Sequence, residues 1–183
     1  MPDSRVFVAV DVPEGTRRVV QTYCKGVPAA RWSNPDQLHF TLHFFAAVSA
    51  DRLTEIGESL SKVKGVSPFP LSLRGLGVFP AGKPERARVL WAGVAPDLGI
   101  RALKTAIDAA LGPDEDPEAK EGFVPHLTLA RFKTAPGPAL GRFMSANAVF
   151  ATAPWTVEGF SLYKSELSSE GAAHTLLRHY PLA

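Results

Sequence analysis

The chain has 183 residues, 45% hydrophobic and 21% charged, with a formal net charge of +2 at pH 7. This length bounds one domain, or two small lobes sharing a cleft, and the composition is that of a chain with a real core rather than a disordered or repeat protein. No apolar stretch approaches the roughly 20 residues that a membrane-spanning helix needs, and the opening Met1-Pro2-Asp3-Ser4-Arg5 lacks the pattern of a signal peptide.

The elements follow in chain order. Residues 5–10 (Arg-Val-Phe-Val-Ala-Val) form a nearly continuous β-branched apolar run and read as a buried strand. Pro13 and Glu14 suit the first turn of a helix reaching about Cys24. Cys24 is the only cysteine, so no internal disulfide can form; an inert thiol in a reducing cytoplasm is expected. Trp32 and residues 38–45 read as strand. Ser49 is a suitable cap for a helix over 50–63, where Leu53, Ile56, Leu60 and Val63 recur at helical spacing. Residues 69–76 alternate as a half-exposed strand, and the basic loop from Lys83 to Arg88 reads first as a solvated connection between strands, with contact to a phosphate backbone as the alternative. A strand over 89–94, a cap at Asp97 and a helix over 98–111 follow, the helix burying Ile100, Leu103, Ile107 and Leu111. The acidic stretch 112–118 reads as loop. A strand over 123–131, a weaker helix around Leu140, Phe143 and Met144, and strands over 155–163 and 174–180 with a turn at Gly171 complete the chain.

Two tetrapeptides stand out: His39-Phe40-Thr41-Leu42 and His126-Leu127-Thr128-Leu129. In a strand, successive side chains point to opposite faces, so each stretch has a His/Thr face and an apolar face. One such histidine alone is ordinarily a hydrogen-bonded core residue. Two copies at equivalent places, each within a similar strand–helix series, point instead to two imidazoles and two hydroxyls around one reacting group. Opening a phosphodiester calls for a base to take a proton from water, an acid for the leaving oxygen, and donors for the nonbridging oxygens. Imidazole titrates near neutrality and serves as either acid or base; Thr41 and Thr128 supply hydroxyl donors. Spacings for a zinc site, a nucleophile elbow or a P-loop are missing, so neither a metal nor a cofactor is expected. The repeated pattern predicts an α+β fold of two pseudo-symmetric lobes spanning 1–183 as one domain.

On these residues the chain resembles the 2H phosphoesterase superfamily, and within it the bacterial and archaeal RNA 2′,3′-cyclic phosphodiesterases, also called 2′-5′ RNA ligases. The likeness includes residues 5–13, Gly77-Val78-Phe79-Pro80, the stretch 84–94, Pro125 to Arg131, residues 163–167 and the closing His179-Tyr180-Pro181-Leu182. It implies antiparallel sheets lining a cleft with helices outside, and water attack on an RNA 2′,3′-cyclic phosphate to leave a 2′-phosphomonoester, without metal or ATP. It also implies that His39 is the proton donor and His126 the proton acceptor, and that Arg131 helps to hold the phosphate. Run backwards, the same chemistry joins a cyclic end to a 5′-hydroxyl.

Strand parity raises a difficulty for Arg131. It lies five residues after His126, so a regular strand would aim it away from the histidine, and a bulge or strand end is required. His43 stands where the family often has lysine, and regular alternation places it on the face of His39 and Thr41 as a candidate substrate contact. Phe7 is a candidate base-stacking residue beside a core alternative, whereas His174 and His179 read as structural or surface histidines. The expected partner is RNA, with a monomer, no membrane and no obligate protein partner. Other readings are a 2H phosphodiesterase for a small cyclic nucleotide or ADP-ribose cyclic phosphate, or a non-catalytic RNA-binding module.

Overall fold

The first apolar run forms β1 (Ser4–Asp11), and the first motif opens β3 (His39–Val48) beside it. The structure, a computed structural model, describes residues 4–112, 122–168 and 171–183; the acidic loop expected over 112–118 lies, beyond Gly112, outside the described residues. The other elements are α1 (Glu14–Tyr23), β2 (Ala30–Trp32), α2 (Ala50–Leu60), β4 (Phe69–Phe79), β5 (Val89–Ala95), α3 (Leu98–Leu111), β6 (Leu127–Phe132), α4 (Pro138–Ala146), β7 (Trp155–Val157), β8 (Gly159–Ser168) and β9 (Gly171–Pro181). Ser49 caps α2 as expected, its Oγ accepting from the Arg52 amide at 3.2 Å. Asp97 does not cap α3 with its side chain; that carboxylate is drawn instead to Arg101 one turn on, at 2.6 Å.

The strands build two antiparallel sheets, in the orders β3-β1-β8-β9 and β2-β6-β5-β4-β7. The duplicated α+β pattern is present, but the lobes are not the two halves of the sequence. The C-terminal hairpin β8–β9 completes the sheet of β1, and the short β2 crosses to pair with β6. The stretch read as one strand over 155–163 divides at Glu158, β7 joining one sheet and β8 the other. The motif strands β3 and β6 thus meet at the seam, with Cα atoms within 8 Å. One continuous core lies between the helices and both sheets; it takes Val6, Val8 and Val10 from β1, Phe40 and Leu42 from β3, and Leu127 and Leu129 from β6. The opposite faces of these strands carry the polar motif residues.

Each motif strand contains an extra residue directly after its threonine. Val8 opposes His43 and Ala9 opposes Thr41, leaving Leu42 unpaired against β1; Leu90 opposes Ala130 and Trp91 opposes Thr128, leaving Leu129 unpaired against β5. These bulges restart the alternation by one residue. The second supplies the bulge that Arg131 requires and returns its side chain to the Thr128 face. The first overturns the expected placement of His43. Its side chain turns with Leu42 to the helix side, is only 3% exposed, and donates from Nδ1 to Asp108 Oδ1 of α3 at 3.1 Å. Lys104 donates to the same oxygen at 2.7 Å, so the carboxylate ties the motif strand to α3 from behind.

Asp108→Ala is therefore expected to destabilise the fold by about 1–3 kcal/mol in chemical denaturation, because a buried histidine and lysine lose a charged acceptor. Activity per folded molecule should stay within about twofold of wild type. A large loss of kcat at unchanged stability would show that His43 acts in the cleft after all.

Candidate active site

His39 is the first residue of β3, and His126 immediately precedes β6. Both rings are held by the same local device. His39 Nδ1 lies 2.7 Å from the Gln37 carbonyl, and His126 Nδ1 lies 2.8 Å from the Val124 carbonyl, in each case two residues back along the chain. A carbonyl only accepts, so this bonding assigns the proton of each neutral ring to Nδ1 and makes Nε2 the atom that gains or gives up a proton. Locally, Gln37 closes a short 3-10 turn over Pro35–Gln37 in which Asn34 Oδ1 accepts from the Asp36 amide at 3.0 Å. On the second strand, the buried Pro125 leads directly into His126.

The surroundings of the two rings differ. His39 stacks on Phe7, with centroids 4.6 Å apart and planes 25° apart, and meets the edge of His174 at 5.2 Å. Burial pushes the His39 pKa from 6.5 down to about 4; the Gln37 bond and the charge of Asp11 act the other way, while His174 and Arg131 add to the depression. Asp11 accepts from the Ser161 hydroxyl at 2.8 Å and the Tyr163 hydroxyl at 2.5 Å. His126 instead sits edge-on to Phe79, at 5.0 Å, beside the Trp91 indole. That indole lies across Gly77, where an added Cβ would stand 2.1 Å from a ring carbon, so the close approach requires glycine there.

Thr41 pairs with Ala9 and Thr128 with Trp91, both on the face opposite the helices. Arg131 shares that face, and its charge reaches His39. Thr41, Thr128 and Arg131 therefore lie on the face opposite the helices, on the two motif strands that meet at the seam and begin at His39 and directly after His126, and His43 lies on the helix side. Phe7 belongs to the cluster in a different role from the one expected. Tyr163 stacks on it at 5.3 Å while His39 stacks on it at 4.6 Å, and only 4% of the residue is exposed, so no face is open to a base. Phe7 supports the His39 ring instead. His174, read as structural or surface, lines the hollow beside His39 with Asp11, Gln37 and Tyr163. No local pattern marks it, because β9 reaches the site only through its pairing with β8. The basic loop is an exposed connection between β4 and β5: its turn over Pro84–Arg86 packs against α4, and Arg88 Nη1 donates to the Lys133 carbonyl at 2.8 Å.

Two sheets meeting along a pair of His-x-Thr strands, with helices outside, define the 2H phosphoesterase class of fold. The family model described as the 2′-5′ RNA ligase superfamily matches residues 4–168, and the chain belongs to that family. It is 34% identical to the RNA 2′,3′-cyclic phosphodiesterase of Thermus thermophilus over 97% of this chain and 90% of the relative. Identity to the protein of that name from Methanothermobacter thermautotrophicus is 32%, over 93% of this chain and 95% of the relative. Among solved structures, TT0787 of Thermus thermophilus superposes with a TM-score of 0.77 at 30% identity over 97% of each chain. Escherichia coli LigT complexed with 3′-AMP superposes with a TM-score of 0.75 at 25% identity, over 100% of this chain and 99% of that one. Among the described residues no group of three His, Cys, Asp or Glu side chains is arranged to hold a metal ion, and no helix is long and apolar enough to cross a membrane.

Histidine NMR titration should place the His39 midpoint near pH 4, well below an ordinary imidazole at 6.5, with His39→Gln identifying the resonance. Because the folded ring binds its proton less readily than the unfolded one, the unfolded chain holds more protons between pH 4 and 6.5, and this group weakens the fold as pH falls through that window. A midpoint at or above 6.5 would overturn the buried, Phe7-stacked placement of the ring.

Proposed function

We propose that the protein hydrolyses RNA ends bearing a 2′,3′-cyclic phosphate to 2′-phosphomonoesters, with His39 and His126 as acid and base. The observation that carries the reading is the matched setting of the two imidazoles, each with Nδ1 committed to a backbone carbonyl at 2.7 or 2.8 Å and each followed by a threonine on the same face. The names of the relatives supply the substrate class.

In the proposed reaction His126 Nε2 takes a proton from water as the oxygen attacks phosphorus. The bond from phosphorus to the 3′-oxygen breaks, and that oxygen receives the proton of His39 Nε2. Thr41 and Thr128 hydroxyls donate to the nonbridging oxygens, and the Arg131 guanidinium bears their charge. Proton exchange through solvent then returns His126 to neutral, and His39 regains its proton as the next substrate binds. With a pKa near 4, His39 is largely neutral in the empty site at pH 7. An anionic phosphodiester beside it favours the imidazolium, so substrate itself loads the acid, and the apolar wall of Phe7 keeps that acid strong. These steps use this chain's own groups and need neither a metal nor a second subunit; a monomer acting in the cytoplasm is the corresponding setting. Reversal of the steps, with a 5′-hydroxyl in place of water, gives 2′-5′ ligation.

A short RNA ending in a 2′,3′-cyclic phosphate should be opened to a 2′-phosphate in the presence of EDTA, with His39→Ala and His126→Ala each losing at least about 10²-fold in kcat. Activity abolished by EDTA and restored by a divalent ion would defeat the metal-free steps, and a kcat within about tenfold of wild type in either histidine variant would defeat the paired roles. The pH profile of kcat/KM should be bell-shaped with its acidic limb near pH 4, and the limbs of kcat should lie higher because the bound anion raises the titration of the pair. Limbs at the same pH in both parameters would mean that substrate does not load His39.

A further inference from the structure

We propose that Arg31, paired across the strands with Arg131, holds a second phosphate of the substrate, the phosphodiester on the 5′ side of the cyclic end. The site would thereby select a polynucleotide end over an isolated cyclic nucleotide. This inference rests on the reading of His39 and His126 as the reacting pair.

The register of β2 on β6 sets Arg31 directly opposite Arg131, with Ala30 opposite Phe132 and Trp32 opposite Ala130. Directly opposed residues of antiparallel strands share a face, with Cβ atoms about 5 Å apart. Trp32 turns to the helix side, where it meets Phe143 of α4 at 5.9 Å, so Arg31 turns the other way, to the face of Arg131 and Thr128. Both arginines are exposed, and among the described residues neither guanidinium has an ion-pair or hydrogen-bond partner. Like charges directly opposed weaken a strand pair. Phosphate at each guanidinium reverses that effect, the reacting one at Arg131 and the next one at Arg31, and it fits their bidentate geometry.

The position of the pair connects it to the reaction. Ser33 binds β6 twice, through its amide to the Leu129 carbonyl at 2.8 Å and through its hydroxyl to the Thr128 carbonyl at 2.8 Å. Arg31 is therefore fixed two residues from a double tether to the second motif, on the segment that leads through the 3-10 turn into His39. The charge of Arg131 already reaches His39, and Arg31 extends the same positive face one strand further out. A mononucleotide 2′,3′-cyclic phosphate has one phosphate, which the histidines, the threonines and Arg131 engage. An RNA end has a second, immediately 5′ to the terminal nucleoside, and it alone can reach the outer guanidinium while the cyclic phosphate stays between the histidines.

The experiment compares a dinucleotide ending in a 2′,3′-cyclic phosphate with adenosine 2′,3′-cyclic phosphate, using wild type, Arg31→Ala and Arg31→Lys. On the dinucleotide, Arg31→Ala is expected to lose about tenfold in kcat/KM, chiefly through KM, with a shallower dependence on salt, and Arg31→Lys to recover part of the loss. On the mononucleotide the change should be about twofold at most. Equal losses on both substrates, or none on either, overturn the second-phosphate role. A wild type inactive on both overturns the phosphodiesterase reading instead. Arg31→Ala should also melt no lower than wild type in phosphate-free buffer, since it removes a repulsion; a clear fall would show that the charges are not opposed and would count against the proposal.

Discussion

In both motif strands, the leucine that ends the His-x-Thr-Leu stretch has no partner on the neighbouring strand, and the alternation of side chains restarts one residue later. The rest of the site depends on that insertion. It leaves Leu42 with His43, and Leu129 with Ala130, on the helix side, and it returns Phe44 and Arg131 to the face of the threonines. Without it a regular strand would place the guanidinium in the core and the His43 imidazole in the cleft. A bulge also increases local twist, which suits strands that must turn a polar face toward a seam while their apolar face stays on a continuous core.

The two histidines share one hydrogen-bonding device but not one environment. The carbonyl two residues upstream sets the tautomer in both, so the atoms that exchange protons are equivalent by construction. Packing then separates them. Phe7 and His174 enclose His39 and desolvate it, whereas His126 meets Phe79 and Trp91 largely by its edges. A pair of general acid–base groups works only when their affinities for the proton differ or are made to differ by substrate. Residues outside the motifs thus set the properties of the residues inside them.

The exchange of strands between lobes explains how those outside residues arrive. β8 and β9 come from the end of the chain yet complete the sheet of β1, which brings Tyr163 onto Phe7 and His174 to the edge of His39. β2 makes the reciprocal crossing and places Arg31 beside Arg131 on the second sheet. Each sheet is therefore completed by a strand remote in sequence, and the seam where β3 and β6 approach is tied by chain segments on both sides. This arrangement favours a rigid cleft over two independently moving halves.

The local patterns alone determined most of the elements. The strand of alternating valines, the Ser49 cap, the apolar spacing of α3 and the two His/Thr faces are properties of neighbouring residues, and each formed within a few positions of its expected bounds. The repeated motif also revealed the class of chemistry, because acid–base work on a phosphodiester needs those residue types in pairs. A need for a bulge was legible for Arg131 through parity, and the same logic applied to His43 would have turned it from the cleft. Strand pairing, by contrast, was decided only in three dimensions. Which strand lies beside which is settled by burial summed over the whole core, not by any short stretch. For that reason Phe7 became the support of His39, His174 entered the site, and Arg31 met Arg131.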